Sequence, residues 1–270
     1  MRYPAVAGQF YPSKERELRQ QLEDCFMSKL GPGHIPKLSA GRGDILGAVV
    51  PHAGYVFSGP VAAHVYAAIA EQGFPETFVV IGPNHHGYGS GVALTSEDFV
   101  TPLGTCRVDK DLARSLRGWV DDDPMAHSHE HSIEVQVPFI QYFSKDVKFL
   151  PIAMTFQDQE TAKELGSRLR KACEGKDVIV IASSDFSHYI PAKEAEKKDR
   201  AVIDKILKLD PEGAESVVAQ QDVSMCGYGP VMAMLYAVQG RRAQLLHYGN
   251  SGEVQPMQDV VGYAGIVVRR

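Results

Sequence analysis

No run of apolar residues in this 270-residue sequence approaches the roughly 18 to 20 needed to cross a bilayer. The uninterrupted stretches are short ones such as Val178 to Ala182, so a membrane-spanning helix is excluded. The N-terminal Met1-Arg2-Tyr3-Pro4-Ala5-Val6-Ala7-Gly8 carries one positive charge but lacks an apolar core of signal-peptide length, and a cytoplasmic chain is expected. A basic excess is also missing: 28 Lys and Arg stand against 33 Asp and Glu, a formal charge of −5. Nucleic-acid binding ordinarily rests on cations that neutralise phosphates, so DNA and RNA are not expected partners. Cysteine is scarce. The four, Cys25, Cys106, Cys173 and Cys226, form no CxxC pair, which excludes a zinc ribbon and a disulfide framework. Repeats, low-complexity tracts and linkers are absent too, which leaves one domain over residues 1–270 as the simplest organisation. At 44% hydrophobic and 23% charged residues, the composition is that of a globular chain able to bury a sizeable core.

What is present is an alternation of helical and strand patterns. Leu18, Leu22, Cys25, Phe26 and Leu30 recur at helical spacing after Ser13, an expected N-cap, and Gly31 to Gly43 is a loop. Ile45 to Val50, Phe78 to Ile81 and Val178 to Ala182 are uniformly apolar strands, as expected where a sheet is covered on both faces. A small-residue helix is predicted over Val61 to Gln72. Gly91 to Leu94 and Cys106 to Val108 read as short strands about a turn, and Asp109 as the cap of a helix reaching about Arg117. Further helices are expected after Glu130, where Pro138 bends the helix or marks its first turn, and over Thr161 to Ala172. Two more follow, the second opened by Asp210-Pro211; another covers Val231 to Val238. Val147 to Ala153, Leu245 to Tyr248 and Val260 to Val268 complete the strands. Such alternation predicts a three-layer α/β/α sandwich around a largely parallel or mixed sheet. In these sheets ligands bind beyond the carboxyl ends of the strands.

The histidines fall at those ends. Seven of the ten lie in four segments: His52; His85 and His86; His127, His129 and His131; and His188. His52, His85 and His188 each follow an apolar strand, and three parallel neighbouring strands would bring them to one rim, as a metal ion bound by neutral imidazoles requires. His34, His64 and His247 have no companion motif. Gly82-Pro83-Asn84-His85-His86 is similar to the Gly-Asn-His segment of binuclear metallophosphatases, yet their Asp-x-His and Gly-Asp-x-x-Asp segments are missing. A Gly-x-Ser-x-Gly elbow around Ser184 is missing as well.

Five segments together are diagnostic: Pro51-His52-Ala53-Gly54-Tyr55, Gly82-Pro83-Asn84-His85-His86, Glu130-His131-Ser132-Ile133-Glu134, Ser183-Ser184-Asp185-Phe186-Ser187-His188, and Cys226-Gly227. In order, and over nearly the whole chain from Ala7-Gly8 and Tyr11 onward, they resemble the Memo family. That family is similar in fold to the class III extradiol ring-cleaving dioxygenases, which are non-haem iron enzymes. The resemblance implies that His52, His85 and Cys226 are metal ligands. It further implies that His188 is an acid or base beside substrate, that Asp185 orients it or lines the pocket, and that Glu130 and His131 stand behind or beside the site. A thiolate in place of the dioxygenase carboxylate favours copper or zinc, while iron remains compatible.

The function expected is therefore a metal-binding, oxidoreductase-like protein that holds iron or copper and acts on a small molecule in a rim pocket. The rival is a non-enzymatic peptide- or protein-binding module, since eukaryotic members are associated with motility signalling and phosphotyrosine peptides. A zinc hydrolase is a third reading. Substrate and oligomeric state are not encoded in any motif.

Overall fold

The computed structural model describes residues 1–270. The N-terminal half of the chain contributes α1 (Glu15–Met27), β1 (Ile45–Val50), α2 (Tyr55–Gln72), β2 (Thr77–Pro83), β3 (Val92–Leu94), β4 (Phe99–Thr101), β5 (Gly104–Cys106), α3 (Lys110–Ser115) and β6 (Asp121–Asp122). It continues through α4 (Val137–Phe143), β7 (Lys148–Met154), α5 (Gln159–Ala172), β8 (Val178–Ser183), β9 (His188–Pro191), α6 (Ala192–Leu207) and α7 (Pro211–Gln220). The last elements are α8 (Tyr228–Val238), β10 (Arg242–Asn250), α9 (Ser251–Val254) and β11 (Asp259–Arg269). No helix is long and apolar enough to cross a membrane.

The main sheet runs β10-β11-β1-β8-β2-β7-β3-β6, with β9 paired to β11. Its centre, β1-β8-β2-β7, is parallel, and antiparallel pairs flank it on both sides. The expected mixed α/β sandwich is thus observed, with β1, β8 and β2 as parallel neighbours. These strands are buried along almost their whole length because helices cover both faces. Two glycines mark how closely. A Cβ on Gly47 of β1 would meet Met234 of α8 at 2.7 Å, and one on Gly265 of β11 would meet Val65 of α2 at 3.0 Å. The β1–β11 register puts these glycines on opposite faces, so α2 and α8 sandwich the sheet. Leu18, Leu22, Cys25 and Phe26 face the core, as their spacing predicts.

Several local expectations change. The cap of α1 is Lys14, without a side-chain hydrogen bond, rather than Ser13. Helix α2 begins at Tyr55, six residues before the predicted start. Pro60 is tolerated inside it because the carbonyl it cannot bond belongs to Val56, an exposed first-turn residue. The two short strands about a turn do not pair with each other: β3 joins the main sheet beside β7, while β5 forms a hairpin with β4. Pro138 sits in the first turn of α4, where its missing N–H has no partner to lose. Asp109 and Asp210 cap α3 and α7 as predicted.

Candidate metal centre

Strand register builds the site. Val50 of β1 is level with Ser183 of β8, and Ile81 of β2 with Ala182, so the chains leaving these strands emerge side by side. The segment after β1 delivers His52, that after β2 delivers His85, and that after β8 delivers Asp185. The turn before α8 adds Cys226. Ligand atoms of His52, His85 and Cys226 all lie within 4.8 Å of one another, and His52 Nε2 is 3.2 Å from Cys226 Sγ. His85 stands edge-on to His52 with ring centroids 5.2 Å apart.

Each imidazole is held by its other nitrogen. The single hydroxyl proton of Ser183 is donated to the Ser132 carbonyl at 2.6 Å. Its oxygen can then only accept from His52 Nδ1, 3.0 Å away, and from the Gln136 amide at 2.8 Å. His52 therefore carries its proton on Nδ1 and turns the Nε2 lone pair toward Cys226. His85 donates from Nδ1 to Glu130 Oε1 at 3.0 Å, leaving its Nε2 free. Glu130 also accepts the amides of His85, His131 and Ser132. His85, Glu130 and His131 form a second geometric group, but four donors already take up the Glu130 oxygens, so this carboxylate serves to orient His85.

Burial sets the protonation states. It drives His52 well below the ordinary histidine value and His131 down to about 4, so both are neutral near pH 7. Burial also disfavours charge on His85, but the hydrogen bond and charge of Glu130 outweigh it and raise the pKa. Glu130 shows the converse: burial would raise it, yet His85 and then His131 hold it well below the carboxylate range. The Cys226 thiol is pushed far up by burial and by the neighbouring Asp185.

The remaining predicted residues are brought to the same rim in different roles. Asp185 accepts the His52 backbone amide at 2.8 Å, and burial raises its carboxyl to about 6. His188 is oriented by Ser224, not by Asp185: its Nδ1 lies 2.7 Å from the Ser224 carbonyl, and its backbone amide donates to Ser224 Oγ at 2.7 Å. His131 stacks on His85 at 4.6 Å, with Phe10 against it at 4.6 Å. His86 lies outside the cluster, near Tyr88 and His129. Sequence reasoning missed Ser224, Gln136, Gln157, Phe10 and Arg2; each is an ordinary residue type whose role arises from a long-range contact. A cavity of about 510 Å³ lies elsewhere, lined by Leu46, Val178, Val180, Lys171 and Lys176 among others and by none of the site residues.

Fold and cluster together define a class: a three-layer α/β protein with two imidazoles and a thiol gathered at the carboxyl rim of parallel strands. The Memo-like protein family profile matches residues 2–267, and the chain belongs to that family. A MEMO1 family protein of Methanopyrus kandleri is 49% identical over 280 residues, covering 100% of this chain and 99% of its own length. One from Methanosarcina acetivorans is 50% identical over 276 residues, covering 99% of each. Among solved structures, the crystal structure of an uncharacterised Escherichia coli protein superposes with a TM-score of 0.51 at 13% identity, covering 83% of this chain and 99% of that one. That likeness is one of fold.

Proposed function

We propose that this Memo family protein is a metal-binding, oxidoreductase-like enzyme in which His52, His85 and Cys226 hold one iron or copper ion and His188 handles a proton on a small substrate. The observation that carries the reading is the convergence of three donor atoms within 4.8 Å, with both histidines oriented from behind. The donor set fits such an ion. Bond lengths of about 2.0 to 2.3 Å place tetrahedral donors roughly 3.3 to 3.8 Å apart, close to the spacing of His52 Nε2 and Cys226 Sγ. Bound there, iron or copper would supply redox chemistry, and zinc a Lewis acid.

The chain's own residues supply the rest. Ser183 and Glu130 fix the ligand tautomers, and burial keeps His52 free of a competing proton. With Nδ1 directed at the Ser224 carbonyl, His188 presents Nε2 as the nitrogen that exchanges a proton.

The test is anaerobic equilibration with limiting Fe(II), Cu(I) and Zn(II), followed by elemental analysis. Iron or copper near one per chain is expected. His188→Gln should keep that metal within about threefold in affinity, yet lower turnover roughly 10²- to 10⁴-fold once a substrate is found. Zinc alone would move the reading to hydrolysis, and no metal above background would leave a binding module on this scaffold.

The pH dependence has a definite sign. Binding needs the Cys226 thiolate, and burial holds the thiol protonated at neutral pH, so each ion bound releases a proton. Between roughly pH 6 and 9 affinity is expected to rise with pH, about tenfold per unit above the raised His85 pKa, where the thiol alone must lose a proton. The slope should steepen at lower pH, where His85, with its raised pKa, must also deprotonate. Competition titrations against a chelator over that range would reveal an error as a flat profile.

A further inference from the structure

The turn that carries Cys226 has no helix or strand of its own to hold it, and one side chain grips it at two points. Gln157, in the loop between β7 and α5, donates from Nε2 to the Cys226 carbonyl at 2.9 Å and accepts the Gly229 amide on Oε1 at 3.0 Å. The loop bearing Gln157 is itself fixed, because the amides of Thr155 and Phe156 both donate to the Gly91 carbonyl, at 2.8 and 3.0 Å. Contact between loop and turn is close: a Cβ on Gly229 would lie 2.7 Å from Gln157 Cβ and 2.8 Å from its Cα. Across the turn, the Gly227 amide donates to Ser184 Oγ at 3.0 Å, and a Cβ on Gly227 would meet the Ser183 carbonyl at 2.5 Å. Cys226 is thus wedged between the end of β8 and the loop after β7.

We infer that Gln157 is a positioning residue for the metal centre, setting the place of Cys226 Sγ relative to His52 and His85 through the Cys226 carbonyl. This rests on the reading of His52, His85 and Cys226 as ligands. The rival role is that of a helix cap. Helix α8 has no cap from the side chain of its own N-cap residue, and the Gly229 amide is one of the first-turn donors with no partner inside the helix. The two roles use different atoms of the amide, so they are separable. Gln157→Glu keeps an acceptor for the Gly229 amide, and its charge suits a helix N-terminus, but it removes the donor to the Cys226 carbonyl. A cap alone would leave metal binding untouched by this change.

The same turn reaches His188. Ser224, two residues before Cys226, receives both the Nδ1 and the backbone amide of His188. A displaced turn therefore shifts the thiol and the proton-handling imidazole together, which no single ligand substitution does.

The experiment uses Co(II) as a spectroscopic stand-in, whose thiolate charge-transfer absorption reports directly on the bond to Cys226. Wild type, Gln157→Glu, Gly229→Ala and Cys226→Ser are titrated under identical conditions, and their melting temperatures are recorded. Gln157→Glu is expected to melt within a few degrees of wild type, to bind Co(II) about 10- to 100-fold more weakly, and to show weaker charge-transfer absorption per bound ion. Gly229→Ala, whose Cβ would meet Gln157 Cα at 2.8 Å and push that residue away without altering its chemistry, should likewise weaken Co(II) binding and its charge-transfer absorption, at a lower melting temperature. If both variants match wild type in affinity and absorption while Cys226→Ser loses the band, Gln157 is only a cap and the inference fails alone. If Cys226→Ser itself binds with the wild-type spectrum, the ligand reading fails and takes the inference with it.

Discussion

Cys226→Ser should lower affinity for Cu(I) and Fe(II) by more than about 100-fold, exceeding the roughly 10- to 100-fold typical of losing an orienting partner. Serine fills nearly the same space, and its oxygen can still receive the Asp185 amide that now donates to Cys226 Sγ at 3.3 Å, so folding should be preserved. What disappears is the soft donor. A hydroxyl does not ionise near neutral pH, and Cu(I) suffers most because it prefers sulfur. Ser183→Ala sets the scale for an orienting partner. It removes the acceptor for His52 Nδ1 and frees the tautomer, with an expected loss of about 10- to 100-fold. Chelator competition on both variants ranks the two effects. Affinity for Cys226→Ser within about threefold of wild type would place the ion elsewhere.

The largest effect on stability is expected from Glu134→Leu. The Glu134 carboxylate is fully buried and pairs with Arg2, whose side chain is 3% exposed. It also receives the Tyr11 hydroxyl and the amides of Ala5 and Val6, at 2.8 and 3.1 Å for the amides. Leucine would strand a buried guanidinium and three further donors. Breaking one side of a buried pair costs roughly 3–5 kcal/mol, a large share of the roughly 5–15 kcal/mol that holds a typical domain folded. Urea denaturation followed by circular dichroism should show the midpoint fall accordingly; a change under about 1 kcal/mol would mean that this network contributes little. The effect should extend to the site, because Arg2 also donates to the carbonyls of Glu130, at 2.6 Å, and His127, at 3.0 Å. The second residue of the chain thereby braces the segment whose carboxylate orients His85.

Much of this was legible in the residues themselves. Three uniformly apolar strands, each followed by a histidine segment, were enough to expect a candidate site at the carboxyl rim of a covered sheet, since only helix-covered strands are apolar on both faces. The order of the segments from Pro51-His52 to Cys226-Gly227 identified the family, whose profile spans residues 2–267. Local rules also sufficed at Asp109 and Asp210, where a side-chain oxygen and the first helical amides are close in sequence. They failed at the start of α2. There a Gly- and Pro-containing stretch with poor helical signals is made helical by burial between the sheet and its neighbours.

The identity of the residues proposed as ligands is therefore a property of the sequence, because histidine and cysteine carry these donor atoms and the motifs hold them in a fixed order. Which residues hold those side chains in place was decided by the tertiary structure alone. Ser183 faces His52 across 131 positions of sequence, Glu130 faces His85 across 45, Gln157 grips Cys226 across 69, and Arg2 meets Glu134 across 132. Serine, glutamate, glutamine and arginine are common in any chain, and nothing in their local pattern distinguishes an orienting partner from a solvated side chain. Only the strand order and register, which are global consequences of burying the sheet between α2 and α8, bring each donor to its acceptor.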